Sequence, residues 1–289
     1  MAMALRLKDC GHELHICDID PERQAMARLA GMTVHPHAAS LAADCSTILM
    51  VVLNAAQVKE VLAGAEHGSI EQPLSSGLLS VIGKAHQIIF CSTVAPQDVI
   101  EACQAVTQTG ASALDAPISG GPVRAAAGDI SMMIAGPRST EQALGDILGQ
   151  LSSRKFYISS SYGDGARAKL VNNLLAAINL VGAAEAMALA QRLGLDAQTM
   201  LGLIAESSGA SWMFSHRMPR ALGLESGITA QTHVLTKDAG LANDMAGDQG
   251  LSLAMGSVAL SHLQATCEAG WSEADDSSVF QWYRKQFEA

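Results

Sequence analysis

The 289-residue chain predicts an α/β domain followed by an all-α domain, the two joined by a long helix. Three observations predict it. From residue 13 to about 158, short apolar runs alternate with helical windows, which implies a parallel sheet with helices on its faces. After "SSSYGDG" the alternation stops, and a helix-compatible stretch without Pro runs from Gly165 to about Leu193 and ends at Gly194. Everything beyond it reads as helices with polar loops. The expected domains are therefore residues 1–162 and 163–289.

In order, "ALRLKDCG" combines helix formers with a stop at Gly11, and "HELHICD" reads as a strand with Asp18 at its carboxyl end. "DPERQAMARLAG" follows as a helix started by Asp-Pro. The runs "STILMVVL", "QIIFCS" and "SALDAP" read as strands, separated by helices at "AQVKEVLAG" and "APQDVIEACQAVTQTG". "GDISMMIAGP" reads as one more strand before a helix over "STEQALGDILGQL". A helix leading into a strand that ends in Asp is the second half of a βαβ dinucleotide-binding unit. Its first half, a strand and a glycine-rich turn, is not found ahead of Ala4, so the domain is expected to be incomplete at its N-terminus.

A formal net charge of −10 argues against nucleic acid or an anionic membrane as the main partner. The apolar stretch "LVNNLLAAINLVGAAEAMALA" is interrupted by amide and acidic side chains and reads as a buried helix, not a lipid-facing span. Six cysteines without a C-x-x-C pair read as free thiols of a reducing compartment, and with no secretory leader in view the expected location is the cytoplasm. His35 and His37 in "HPH" have no further ligands at recognisable spacing, so no metal is expected. No G-x-S-x-G elbow supports a hydrolase.

Three constellations carry chemistry. Asp18 can accept from adenosine ribose hydroxyls and would repel a 2′-phosphate, favouring NAD over NADP; Asp also starts turns, and "DIDPER" makes one regardless. Ser119, Gly120 and Gly121 offer a hydroxyl and unobstructed backbone N–H groups, suited to a carboxylate or hydroxyl of a small substrate or to an ordinary glycine turn. Lys169 shares a helix face with Asn172 and Asn173; burial would lower the lysine pKa toward a value useful for proton transfer at an alcohol.

These residues resemble the β-hydroxyacid dehydrogenases, the family of 3-hydroxyisobutyrate dehydrogenase. "DAPISGGPVRAAAG" is similar to the family's substrate-binding segment, "GDGARAKLVNN" to its catalytic helix, "CSTVAP" to its cofactor-side loop and "TKDAGLA" to the segment beside substrate and nicotinamide. "SWMFSHRMP" resembles the branch acting on four-carbon sugar acids, such as L-threonate dehydrogenase. The resemblance implies a Rossmann-like first domain, Lys169 and Asn173 as catalytic residues, and Ser119, Gly120, Gly121 and Lys237 on the substrate. It implies Asp18, Leu53, Thr93, Lys237 and Asp238 on the NAD side, and a homodimer or homotetramer. The absent G-x-G-x-x-G turn removes the main phosphate cradle, and loss of its strand would leave two strand edges open. The expected explanation is a first residue downstream of the true start; the alternative is a ligand-binding or oligomeric scaffold that has lost catalysis.

Overall fold

The computed structural model describes residues 1–64 and 77–288. They form two compact units, Met1–Lys169 and Leu170–Ala289.

The first unit opens with α1 (Ala2–Asp9) and β1 (His15–Ile16). Next comes α2 (Pro21–Leu29), which starts where the Asp20 carboxylate accepts from the Glu22 N–H and Pro21 presets the first turn. After β2 (Thr33–Val34), the His37 ring accepts from the Ser40 N–H to start α3 (Ala38–Ala42). Then come β3 (Thr47–Met50), α4 (Ala55–Ala63), β4 (Gln87–Phe90), α5 (Pro96–Gln108), β5 (Ser112–Asp115) and β6 (Ile118–Ser119). The unit closes with α6 (Gly121–Ala127), β7 (Ser131–Ala135), α7 (Arg138–Ala143), α8 (Gly145–Leu151) and β8 (Arg154–Ser159).

β3, β4 and β5 are parallel neighbours. β5 and then β6 run antiparallel to β7, and β8 lies parallel to β7. The sheet is therefore mixed where a parallel one is predicted, because the short link through α6 returns the chain beside the strand it has just left. Among the described residues β1 pairs with β2 alone, in a separate two-stranded sheet. Among the described residues neither β1 nor β3 has a strand along its second edge.

The continuous apolar run of β4 reflects burial on both faces. Ile88 and Phe90 pack with Val99, Cys103 and Val106 on one side; Ile89 and Cys91 pack with Leu114, Met132 and Leu148 on the other. Both thiols are free and buried, and desolvation pushes Cys91 up to about 12 and Cys103 well above the usual thiol value.

α9 (Asp164–Arg192) begins in the first unit and continues as the spine of the second. Its length and composition would suffice to cross a membrane, but half of that stretch is buried inside the protein. Leu180, Ala184 and Met187 form a core with residues of α11 (Trp212–Ala221), α12 (Thr232–Gly247), α13 (Ala254–Thr266) and α14 (Val279–Glu288), among them Phe214, Met218, Leu235, Leu263 and Phe280; α10 (Ala197–Ala205) adds partly buried side chains. Burying each large apolar side chain contributes about 1.5–3 kcal/mol. Val171, Leu175 and Leu189 stay exposed, four and eighteen residues from the first, and so share one side of α9.

Candidate active site

Of the residues expected to face a dinucleotide, Asp18, Leu53 and Thr93 each follow the carboxyl end of a strand, the usual ligand edge of an α/β sheet. Asp18 lies two residues past β1; its Oδ1 accepts from the Asp20 N–H at 2.9 Å, while Oδ2 takes no hydrogen bond among the described residues. The first turn of α1 has no side-chain cap. The Met1 amino group beside it is held below its ordinary pKa by burial and by Arg23, with Asp18 opposing, so all three lie within electrostatic reach. A strand-end carboxylate with one oxygen outside the hydrogen bonds of its own turn fits a ribose hydroxyl donor.

Leu53 and Thr93 occupy adjacent loops, after β3 and β4. The loops are tied by Ser92, whose hydroxyl accepts from the Val52 N–H at 2.8 Å and donates to the Met50 carbonyl at 3.4 Å. Leu53 is exposed and Thr93 half-buried.

Ser119, Gly120 and Gly121 form the junction of β6 and α6. Gly120 has φ +133° and Gly121 φ +73°, conformations that disfavour any side chain, and the first turn of α6 carries no side-chain cap. A Cβ on Gly120 would meet the Arg124 side chain at 3.2 Å. The buried Arg124 Nε makes no hydrogen bond and lies 3.4 Å from an Asp129 oxygen. The Arg124 guanidinium, paired with Asp129 and 3.5 Å from the Ser131 hydroxyl, thus stands beside the Gly120 backbone. The sequence reading passed over Arg124; a cation one turn after the glycines was the available signal.

The start of α9 is locked to the ends of β5 and β7. Asp115, closing β5, is 1% exposed, and its Oδ2 accepts from the N–H groups of Gly163 at 2.9 Å and Ala166 at 3.1 Å. Burial pushes its carboxyl up to about 6 although these amide bonds pull the other way. A Cβ on Gly165 would sit 2.7 Å from the Met133 carbonyl oxygen and 2.8 Å from that of Asp115. The glycine is what lets the helix approach.

On this anchored helix Lys169 and, one turn later, Asn173 are both buried. Asn173 Nδ2 donates to Asp238 Oδ2 at 2.6 Å, Asn172 donates to Asn173 Oδ1 at 3.0 Å, and Lys237 Nζ donates to Asp238 Oδ1 at 2.7 Å. The structure thus joins Asn173, Lys237 and Asp238, three of the residues expected at the site, around one buried carboxylate. Of "SWMFSHRMP", Met213 and Phe214 are core residues of α11, while Trp212 is half exposed and stacks on the His216 ring at 4.1 Å between centroids.

Two family models match the chain: the NAD binding domain of 6-phosphogluconate dehydrogenase over residues 1–159, and the NAD-binding of NADP-dependent 3-hydroxyisobutyrate dehydrogenase over residues 163–283. L-threonate dehydrogenase of Cupriavidus necator is 30% identical over 279 residues, covering 96% of this chain and 91% of that protein. Mitochondrial 3-hydroxyisobutyrate dehydrogenase of Homo sapiens is 31% identical, covering 98% and 83%. The crystal structure of 3-hydroxyisobutyrate dehydrogenase from Salmonella typhimurium superposes with a TM-score of 0.85 at 29% identity, covering 97% of this chain and 95% of that one.

Proposed function

The chain belongs to the β-hydroxyacid dehydrogenases, NAD(P)-dependent oxidoreductases of small hydroxy acids, and from that premise we propose that Lys169 is the proton-transfer group for a four-carbon sugar acid or a 3-hydroxyisobutyrate-like acid, with NAD as coenzyme. The observation that carries this reading is a buried lysine on a helix whose start is pinned by Asp115 and Gly165, one turn before an asparagine held by a buried carboxylate. The nicotinamide, when bound, exchanges a hydride with the substrate's hydroxyl-bearing carbon.

Lys169 takes the hydroxyl proton during oxidation and returns it in reduction. Asn173 orients Lys169 and the substrate; its own amide is fixed by Asp238, which is held in turn by Lys237. Asp238 is therefore a positioning residue in this reading, and Lys237 adds positive charge. The substrate carboxylate sits on Ser119, Gly120 and Gly121, with Arg124 supplying the nearby charge. Four-carbon acids come first because of the motif at residues 211–219.

NAD is favoured over NADP because the Asp18 carboxylate would meet a 2′-phosphate with its own charge. Leu53 and Thr93 line the cofactor side of the β3 and β4 loops, and Lys237 joins the cofactor residues on the resemblance of "TKDAGLA". The exposed apolar side of α9 supports a homo-oligomer, and the acidic chain is read as cytoplasmic.

Turnover of L-threonate and 3-hydroxyisobutyrate, followed through NADH absorbance, tests the reading. Lys169→Ala is expected to lower kcat by about 10²–10⁴-fold with the melting temperature unchanged; near-native kcat in that folded variant removes Lys169 from the mechanism. Asp18→Ala is expected to narrow the NAD-over-NADP ratio of kcat/KM by about tenfold, equivalent to about 1.4 kcal/mol. An unchanged ratio takes coenzyme choice away from Asp18.

A further inference from the structure

We propose that His15, His35 and Asp44 form a binding site for a divalent transition-metal ion of the Zn²⁺ class. The three residues come from separate places: His15 from β1, His35 from the residue after β2, and Asp44 from the turn after α3. The backbone brings the first two side by side, since the His35 N–H donates to the Ile16 carbonyl at 2.8 Å. His15 Nδ1 is then 2.8 Å from His35 Nε2, which is 3.8 Å from Asp44 Oδ2, and one ligand atom from each residue lies within 4.8 Å of the others.

Around a tetrahedral Zn²⁺ with bonds of about 2.0–2.1 Å, ligand atoms stand about 3.3 Å apart. The two measured separations bracket that value. Rotation of the imidazoles and of the Asp44 side chain, which is 57% exposed, is enough to close the difference. The far nitrogen of His15, Nε2, lies 3.7 Å from the Glu13 carboxylate, an ion-pair separation longer than a hydrogen bond. Two nitrogens and one carboxylate oxygen select Zn²⁺, Co²⁺, Ni²⁺ or Cu²⁺ over Mg²⁺ and Ca²⁺, which prefer oxygen donors. Three protein ligands leave a fourth position for water.

The "HPH" motif gives no hint of this arrangement because its histidines separate in the fold. His37 caps α3, and His35 finds its partners twenty residues earlier and nine residues later. A bound ion would staple the two-residue strands of the small sheet to the turn after α3.

The test uses the tag-free full chain after chelator treatment, titrated with Zn²⁺ by calorimetry and with Co²⁺ by visible absorption. One equivalent with a dissociation constant of about 10 μM or lower is the expected result, with a rise in melting temperature. His35→Ala and Asp44→Ala are each expected to weaken binding at least about tenfold. Should the buried His35 variant fail to fold, Asp44→Ala and His15→Gln give the same reading. No Zn²⁺ binding at about 100 μM, or binding unchanged in these variants, overturns the proposal.

Discussion

Asp115 concentrates two effects in one side chain. Its carboxylate closes the start of α9, and its burial raises the folded-state pKa from 3.8 to about 6. The folded protein therefore binds this proton more tightly than the unfolded chain does. The associated stability is fully present below about pH 4 and is lost as the pH rises through about 6, on the order of 3 kcal/mol for this group. Asp115→Asn keeps an acceptor oxygen for the two amides and removes the titration, so its denaturation midpoint should lack this component between pH 4 and 6. Asp115→Ala leaves two N–H groups without their acceptor and should lose about 1–3 kcal/mol relative to Asp115→Asn at either pH. Urea denaturation of both variants at pH 4 and pH 7 separates the effects. The sequence marks Asp115 only as the first residue of a strand-end motif, because its partners lie 48 and 51 residues further on. The same holds for the Asp238 network, whose asparagine is 65 residues away; residue type announced the chemistry, and long-range pairing decided who holds whom.

At the scale of the element, α9 depends on its first turn. Gly165→Ala places a methyl group against two carbonyl oxygens that cannot retreat, since both belong to sheet strands. The helix start must shift, and Lys169 moves with it. A loss of about 1–3 kcal/mol in stability and a fall in kcat of about 10²-fold, measured on folded enzyme, are expected. α9 itself was legible within about one residue of each end, because a long stretch without Pro, closed by a glycine at φ +75°, is a strong signal. The two-residue strand β2 was not, since so short a run has no period to read. The helix expected across "STEQALGDILGQL" breaks into α7 and α8 at Leu144, where the backbone turns to φ −93°, ψ 5° just before Gly145.

For the whole molecule, alternation followed by a purely helical stretch was sufficient to read an α/β unit and an all-α unit, whereas strand direction in β7 was not readable because periodicity carries no sign. Exposed Val171, Leu175 and Leu189 on α9 form an apolar side that a second copy would cover. Light scattering on the purified protein should report a dimer or larger species, and Leu175→Glu with Leu189→Glu should shift it toward the monomer while turnover per folded chain shows whether assembly matters for activity. The buried thiols of Cys91 and Cys103, in the core layers on opposite sides of β4, lead to one more consequence. Neither can meet a reagent, or become a thiolate near neutral pH, unless the layer above it lifts away, whereas Cys17 is exposed. The protein thus carries its own chemical clock. Alkylation of Cys17 marks the reagent's access to the native surface, and the delay before Cys91 or Cys103 reacts measures how often each side of the sheet opens, helix layer by helix layer, with no probe introduced.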